Sequence, residues 1–169
     1  MKTLIVIDMQ NDFVTGSLAN PAAEAIIPFI KAEIESGKYD GLMFTADTHG
    51  ENYIETQEGK YLPIKHCVRG TSGWRIVDEL TRSILSPYVV EKGSFGYDNW
   101  GLFGFNKDVE LVLVGTCTDI CVITNALLLK TCYPENKITV LAKGCAGLTP
   151  EKHAAALEVM KSCQIEVIE

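Results

Sequence analysis

Cys121 has the local setting of a nucleophile, because it follows a predicted buried strand after only a short turn. The apolar run 111–114 predicts a strand buried on both faces. From Thr118 the apolar residues recur at helical spacing, with Thr118 or Asp119 as the cap. The free N–H groups and positive end of such a helix favour a thiolate and can hold an oxyanion. The alternative is a structural cysteine on a buried helix, since position alone does not select Cys121 from the six cysteines.

Two charged residues at the ends of other apolar segments are candidate partners for this sulfur. Asp8 follows the apolar run 4–7, and a carboxylate there is either a cap for the next turn or a catalytic base with a raised pKa. Lys92 follows the run 88–91 and is either a solvated strand end or a cation that holds a thiolate ionised and couples to Asp8. Together they offer the base and the electrostatic partner that a cysteine nucleophile needs.

A second group of residues has the side chains of a metal site. Two of the three histidines, His49 and His66, bracket a polar loop, and Asp47 stands two residues before the first of them. One carboxylate and two imidazoles suit zinc, iron or manganese and leave open positions for water or substrate. The alternative is a solvent-facing Asp-x-His followed by an unrelated histidine. We predict no helix in this loop, whose glutamates are candidates for a further ligand: Glu51, Glu55 and Glu58.

Aromatic residues follow two of these segments and are candidates for a substrate pocket. Phe13 lies in the loop after Asp8 and either lines a pocket or covers the core. Phe95 opens a cluster of aromatic residues interleaved with glycines, which indicates a pocket wall or an oligomer contact rather than the core of a helix. The cluster comprises Phe95, Tyr97, Trp100, Phe103 and Phe105.

The elements that position these residues form an alternating pattern of strands and helices. This pattern predicts a three-layer α/β/α sandwich, Rossmann-like, with a six-stranded and mainly parallel sheet. Because parallel strands end at one edge of the sheet, the candidate residues at four strand ends face one crevice, which favours Cys121 as a nucleophile. We predict strands at 4–7, 42–46, 88–91, 111–114, 137–142 and 165–168. We predict helices at 22–36, 74–84, 118–130 and 149–163.

Several local details accompany this pattern. Pro28 lies inside the first predicted helix, so regular helix is expected from about Ile27. Residues 144–147 are expected to form a turn after the fifth strand, and His153 is expected on the solvated face of the last helix.

The composition fits one globular domain over residues 1–169. With 47% hydrophobic residues the chain can bury a sizeable core, and its net charge of -7 argues against nucleic acid as a partner. No segment reaches the length of a membrane span, and the first apolar stretch is too short for a signal peptide, so we expect a cytoplasmic protein without membrane association. The cysteines lack CxxC spacing, so we expect reduced thiols.

Five motifs, in order along the chain, carry a resemblance to a known family. They are IDMQNDF at 7–13, TADTH at 45–49, HCVRGTSG at 66–73, EKGSF at 91–95 and TCTDICV at 116–122. With these motifs the sequence resembles the isochorismatase-like cysteine hydrolase superfamily, and within it the nicotinamidase-related branch. The resemblance spans nearly the whole chain and implies an isochorismatase-like form of the predicted sandwich.

The resemblance also implies roles for the residues named above. Asp8, Lys92 and Cys121 are expected to form a catalytic triad. A cis peptide bond before Cys117 is expected to let the N–H groups of Cys117 and Cys121 form an oxyanion hole. The expected cofactor is a divalent metal, with zinc first and iron or manganese as alternatives. Its implied ligands are Asp47, His49 and His66.

The activity implied by the resemblance is hydrolysis of a small amide, with release of ammonia through a thioester intermediate. Conversion of nicotinamide to nicotinate is the leading candidate, with Phe13 and Phe95 as ring contacts in the substrate pocket. Pro63 stands where nicotinamidases usually carry a tryptophan, three residues before His66. A different small amide or a ureido compound is therefore an alternative substrate, and a catalytically silent binding protein is the alternative function. The resemblance further implies a homo-oligomer.

Overall fold

Six strands form one sheet, and every strand in it is parallel to its neighbours. The strands are β1 (Lys2–Ile7), β2 (Gly41–Asp47), β3 (Val89–Lys92), β4 (Glu110–Thr116), β5 (Ile138–Ala146) and β6 (Glu166–Ile168). Their order across the sheet is β3-β2-β1-β4-β5-β6. The computed structural model describes residues 1–169. The predicted α/β class is confirmed, and the sheet is parallel throughout rather than mainly parallel.

Helices connect the strands. The α-helices are α1 (Asn11–Val14), α2 (Pro21–Ala25), α3 (Ile27–Glu35), α4 (Gln57–Tyr61), α5 (Asp78–Thr81), α6 (Ile123–Cys132) and α7 (Pro150–Ser162). Two short 3-10 helices, Tyr53–Glu55 and Trp100–Phe103, and one π-helix, Thr118–Val122, complete the helical segments. None of the helices combines the length and the hydropathy that a membrane span requires.

The sheet divides the core into two apolar layers, because side chains alternate between its faces along each strand. Ile5 of β1 belongs to a layer that includes Leu129 of α6. The next residue, Val6, belongs to the opposite layer, which includes Ile30 of α3. All four side chains are fully buried, and each such side chain contributes about 1.5–3 kcal/mol to folding. The two layers confirm the predicted sandwich.

Two predicted helices differ from the observed ones. The first is divided into α2 and α3, and Pro28 lies in the opening turn of α3, where its missing N–H is not needed. This confirms the expected start near Ile27. The helix predicted at 74–84 is reduced to α5, because residues 75–77 bond to the segment after β1. The N–H of Asn11 donates to Arg75 O at 2.9 Å, and the N–H of Val77 donates to Met9 O at 2.9 Å.

Two further expectations are wrong. The loop between His49 and His66 contains the short 3-10 helix and α4, which is capped by a hydrogen bond from the Gly59 N–H to Thr56 Oγ1 at 3.0 Å. Residues 144–146 are not a turn, because β5 continues to Ala146 and pairs there with Thr116 of β4.

Gly115 is the one position in β4 where the close approach of β1 requires glycine. Its φ is +126°, and a Cβ atom on it would lie 2.1 Å from the carbonyl oxygen of Ile7. The pairing of β4 with β5 also shifts register between Leu113 and Gly115. Gly115 thus allows β4 to stay against β1 up to the start of the turn that leads to Cys121.

We predict that Gly115→Ala lowers the free energy of unfolding by at least about 3 kcal/mol, because the added methyl group overlaps the backbone of β1 and the positive φ is strained. Urea denaturation measures this loss. The matched control is Gly101→Ala, since a Cβ atom there meets open space, and its effect should stay within about 0.5 kcal/mol. Similar denaturation midpoints for the two variants would contradict the packing argument.

Candidate active site and metal centre

The side chains of Asp8, Lys92 and Cys121 meet at the carboxyl edge of the sheet. Asp8 follows β1, Lys92 ends β3, and Cys121 lies in the π-helix after β4. Lys92 Nζ lies 2.7 Å from Asp8 Oδ2 and 3.7 Å from Cys121 Sγ. It also donates a hydrogen bond to Ser94 O at 2.9 Å. The Asp8 and Lys92 side chains are fully buried, so solvent and salt weaken the interaction between their charges very little.

Burial and neighbouring charges shift the pKa values of all three groups in the cluster. Burial raises the pKa of Asp8, and Lys92 only partly offsets this effect. Burial and then the charge of Asp8 raise the pKa of Cys121 well above its ordinary value, although Lys92 acts in the opposite direction. Burial lowers the pKa of Lys92, but Asp8, Cys121 and Asp47 outweigh it and the net shift is upward. The cluster therefore combines a charged amine with a thiol whose pKa is raised, which opposes the shift toward a thiolate expected from the helix start alone.

The turn before Cys121 has an unusual backbone. The peptide bond between Thr116 and Cys117 is cis, as the resemblance implies. The N–H groups of Ile120 and Val122 both donate to Cys117 O, each at 3.0 Å. Cys117 occupies the N-cap position without a side-chain cap. The turn is thus held by backbone bonds, and the prediction of a cap from Thr118 or Asp119 is wrong.

The two predicted capping side chains instead bind the last helix and the loop before it. Thr118 Oγ1 pairs with His153 Nδ1 at 2.8 Å, and Asp119 Oδ1 accepts from the N–H of Leu148 at 2.9 Å. His153 is therefore partly buried against the π-helix, and its expected place on the solvated face is wrong.

The three predicted metal ligands lie together beside this cluster. Asp47 Oδ2 is 2.8 Å from His49 Nε2 and 3.5 Å from His66 Nε2, and one donor atom from each residue lies within 4.8 Å of the others. His66 Nδ1 contacts Ile64 O at 2.9 Å, which leaves Nε2 as the coordinating nitrogen. Glu58 Oε1 lies 3.8 Å from Nε2 of both histidines.

This donor set fits a divalent cation. Burial alone would raise the pKa of Asp47. Hydrogen bonds from the two histidines and the charge of Lys92 outweigh burial and hold this pKa well below its usual range. The carboxylate is therefore ionised, and two imidazoles with one or two carboxylates match the preferences of zinc and related metals. Of the three loop glutamates only Glu58 reaches the site, since Glu51 pairs with Lys65 at 3.3 Å and Glu55 is exposed.

A cavity of about 350 Å³ opens over both centres. Cys121, Asp47 and His66 form part of its wall, together with Cys117. Most of the remaining wall is apolar, which suits a small organic molecule. The apolar residues are Phe13, Leu18, Ala19, Leu62, Phe95, Ile120 and Leu148.

Both predicted pocket aromatics line this cavity, but the rest of the aromatic cluster does not. The ring centroids of Phe13 and His66 are 5.6 Å apart, and Phe95 lines the cavity while remaining half exposed. Trp100 is fully buried in the core. The other members pack against the same core layer: Tyr97, Phe103 and Phe105. Of the aromatic cluster that was predicted to form a pocket wall, only Phe95 lines the cavity.

Sequence reasoning missed two residues that hold the site in place. Thr45 Oγ1 donates to Asp8 Oδ1 at 2.6 Å and so orients this carboxylate. Gln10 binds the backbone of Asp47 twice, since its amide donates to Asp47 O at 2.8 Å and accepts from the N–H of Asp47 at 2.8 Å. Both residues lie inside quoted motifs, and a polar residue within an otherwise apolar strand was the available signal for Thr45.

The comparisons with known proteins identify the family of this chain. The model of the isochorismatase domain matches residues 2–169. The chain belongs to the isochorismatase family. It is 29% identical to the nicotinamidase of Saccharomyces cerevisiae, with 100% of each chain covered. It is 28% identical to the nicotinamidase/pyrazinamidase of Mycobacterium tuberculosis, with 99% of this chain and 98% of the relative covered.

A solved structure resembles this chain over nearly its whole length. The crystal structure of the pyrazinamidase of Pyrococcus horikoshii in complex with zinc superposes with a TM-score of 0.84 and 28% identity. The superposition covers 99% of this chain and 98% of that chain. A protein with the same architecture therefore has a crystal structure in complex with zinc.

We predict that the protein purified without chelator contains a divalent cation. His49→Ala or His66→Ala should lower the affinity of the protein for this cation by at least about 10-fold, because loss of a residue that only supports a ligand already costs about 10–100-fold. Elemental analysis and competition with a chelating dye measure the affinity. The control is His153→Ala, which removes the remaining histidine and should retain the cation. Equal metal affinity in all three variants would rule out this site.

Proposed function

We propose that this protein is a nicotinamidase-like amidohydrolase that releases ammonia from a small amide through a thioester on Cys121. The observation that carries this proposal is the buried cluster of Asp8, Lys92 and Cys121 at one wall of a mostly apolar cavity. A nucleophile, a base and a fixed cation at one wall of a pocket are the parts that acyl transfer requires. The names of the similar proteins support an amide as substrate.

In the first half of the reaction, Asp8 takes the proton of the Cys121 thiol as the sulfur attacks the amide carbonyl. A base with a raised pKa suits this step, because the proton leaves a thiol whose own pKa is also raised. Lys92 balances the negative charge that forms on the sulfur, and the backbone N–H groups of Cys117 and Cys121 hold the oxyanion. Asp8 then gives the proton to the departing nitrogen, so that ammonia leaves and a thioester remains.

In the second half, water hydrolyses the thioester. Asp8, again ionised after ammonia has left, accepts a proton from the attacking water, and the thiolate leaves as the carboxylic acid forms. Lys92 stabilises the departing thiolate until Asp8 returns this proton to the sulfur, and the acid releases its own proton to solvent to give the carboxylate. A divalent cation held by Asp47, His49 and His66, with zinc the first choice, would supply a Lewis acid and a water of lowered pKa.

The cavity favours a flat, mostly apolar amide. Phe13 and Phe95 offer aromatic surfaces on its wall, and Leu62 contributes apolar surface one residue before Pro63. We therefore propose nicotinamide as the first substrate to test, with another small amide or a ureido compound as the alternative on the same residues. A catalytically silent binding protein is the remaining alternative. A cytoplasmic location and a homo-oligomer stay predictions, to be measured by cell fractionation and by light scattering.

We predict that a panel of small amides, followed by ammonia release, identifies nicotinamide as a substrate of the metal-loaded protein. The cavity accommodates a small aromatic ring, and the cluster supplies the chemistry. Release of ammonia from a different amide would support the amidohydrolase and replace nicotinamide as substrate. No ammonia from any member of the panel would contradict the proposal and favour the silent protein.

We predict that Cys121→Ala lowers kcat on the best amide at least about 10³-fold, because no other group takes over the covalent step. The control is Cys132→Ala, since Cys132 is an exposed thiol outside the cavity, and its kcat should not change. Mass spectrometry of wild-type protein quenched during turnover should show the acyl group on Cys121. Retention of activity by the Cys121 variant would exclude the thioester route.

We predict that kcat/KM falls on acidification with an apparent pKa above the ordinary 3.8 of an aspartate. Burial raises the pKa of Asp8, so the carboxylate that must accept the proton is lost at a higher pH than usual. Because burial also raises the pKa of Cys121 above 9.0, activity should not fall between neutral pH and about pH 9. A steady-state pH profile measures both limits, and an alkaline loss that begins near neutral pH would contradict this assignment.

A further inference from the structure

Asn125 is a fully buried polar residue one helical turn after Cys121, and its side chain makes four hydrogen bonds. Its Nδ2 donates to Cys121 O at 2.8 Å and to Phe95 O at 3.2 Å. Its Oδ1 accepts from the N–H of Tyr97 at 2.9 Å and from Trp100 Nε1 at 2.9 Å. All four donor and acceptor positions of the amide are therefore used.

The orientation of this amide follows from its partners. Tyr97 N and Trp100 Nε1 are obligate donors, whereas the two carbonyl oxygens are obligate acceptors. Only one placement of the oxygen and nitrogen of Asn125 satisfies them. A residue of a different polarity or shape cannot reproduce the set, so the requirement for asparagine at this position is specific.

The hydrogen bonds connect two walls of the cavity. One wall is the π-helix with Cys121, and the other is the segment 94–97, which carries Phe95. The same segment is held at its other end by the bond from Lys92 Nζ to Ser94 O. It also lies directly on α6, because a Cβ atom on Gly96 would come within 2.7 Å of Thr124 Cγ2.

Phe95 lines the cavity although it is 49% exposed. The position of its ring in the cavity therefore depends on the backbone of the segment 94–97. Asn125 and Lys92 hold this backbone through hydrogen bonds to Phe95 O and Ser94 O.

We propose that Asn125 is a positioning residue that fixes the Phe95 wall relative to the Cys121 sulfur, and that it thereby determines how an aromatic amide is held for attack. This role rests on the proposed function. Asn125 would then contribute to substrate selection as well as to the stability of α6, because its hydrogen bonds reach both walls of the cavity.

The test compares Asn125→Ala and Asn125→Asp with the wild-type protein on nicotinamide. Asn125→Ala removes all four bonds, while the near-isosteric Asn125→Asp keeps the acceptor and places an oxygen against the two carbonyl groups. We expect kcat/KM to fall roughly 10–100-fold, with a rise in KM as well as a fall in kcat, because a small displacement of either wall misaligns the reaction. If Asn125→Ala does not fold, Asn125→Asp carries the test.

The matched control is Thr131→Ala on the same helix. Thr131 Oγ1 donates to Leu127 O at 2.8 Å, an exposed bond from side chain to backbone that reaches neither wall of the cavity. This variant should keep the wild-type kcat and KM. A similar loss in the control would assign the effect of Asn125 to helix stability and overturn the proposal.

A double-mutant cycle with Phe95→Ala separates positioning from general loosening of the core. If Asn125 acts through Phe95, Asn125→Asp should change the KM for nicotinamide less than about 3-fold once the ring is absent, so that the effects on KM are not additive. Additive effects on KM would overturn the role assigned to Phe95 and with it the proposal.

Alkylation of Cys121 by iodoacetamide tests the positioning role without relying on amide hydrolysis, so this result is independent of the proposed function. In a wild-type protein that hydrolyses no amide, the proposed function fails, but the link between Asn125 and Cys121 is still measurable. We expect Asn125→Asp to change the alkylation rate at least about 3-fold, since geometry and desolvation control thiol reactivity, and Thr131→Ala to leave it unchanged. An unchanged rate in the Asn125 variant would overturn the positioning role.

Discussion

The buried ammonium group of Lys92 is the constraint on which the site depends. Removing a charged amine from water costs several kcal/mol unless opposite charges and hydrogen bonds replace the lost water. Here Asp8 and Asp47 lie 2.7 and 3.3 Å from Lys92 Nζ, and Ser94 O accepts a further bond. The charges come from the ends of three adjacent strands, with Asp47 and Lys92 directly paired in the parallel register of β2 and β3. The register of the sheet therefore makes the buried cation stable.

The carboxylate of Asp47 joins the two centres of the site. One oxygen accepts from Lys92, and the other faces both histidines. The cluster of Asp8, Lys92 and Cys121 and the candidate metal donors therefore share a single negative charge. A cation bound at the histidines would draw on the same carboxylate that balances Lys92, so the two centres are coupled through electrostatics as well as through position.

One short segment after β1 holds the loops that carry the metal donors. Gln10 binds the backbone of Asp47 on both sides, and Asp12 Oδ2 accepts from the N–H of Cys67 at 2.7 Å, directly after His66. The same segment places Phe13 on the cavity wall. These contacts explain two of the polar side chains in the motif at residues 7–13, since Gln10 and Asp12 each hold a different loop of the site.

The sequence by itself determined the class of fold and the residues at the edge of the sheet. Apolar runs of four to six residues separated by helical periodicity predict parallel strands, and charged residues at their ends predict a crevice, because both signals are local. The positions of Asp8 and Lys92 at strand ends, and of Cys121 in the helical turn that follows a strand, come from such signals. The same local reading failed at residues 74–84 and 144–147, because long-range backbone pairing decided the conformation there.

Tertiary structure alone decided the direction of the pKa shifts in the cluster and the contents of the cavity wall. A local pattern at a helix start predicts a lowered thiol pKa, but burial of Cys121 beside Asp8 raises it, and burial is a property of the packed molecule. Likewise, Phe95 and Trp100 are similar in sequence context, yet one lines the cavity and the other is fully buried. Desolvation and packing depend on residues far apart along the chain, so no short stretch of sequence contains them.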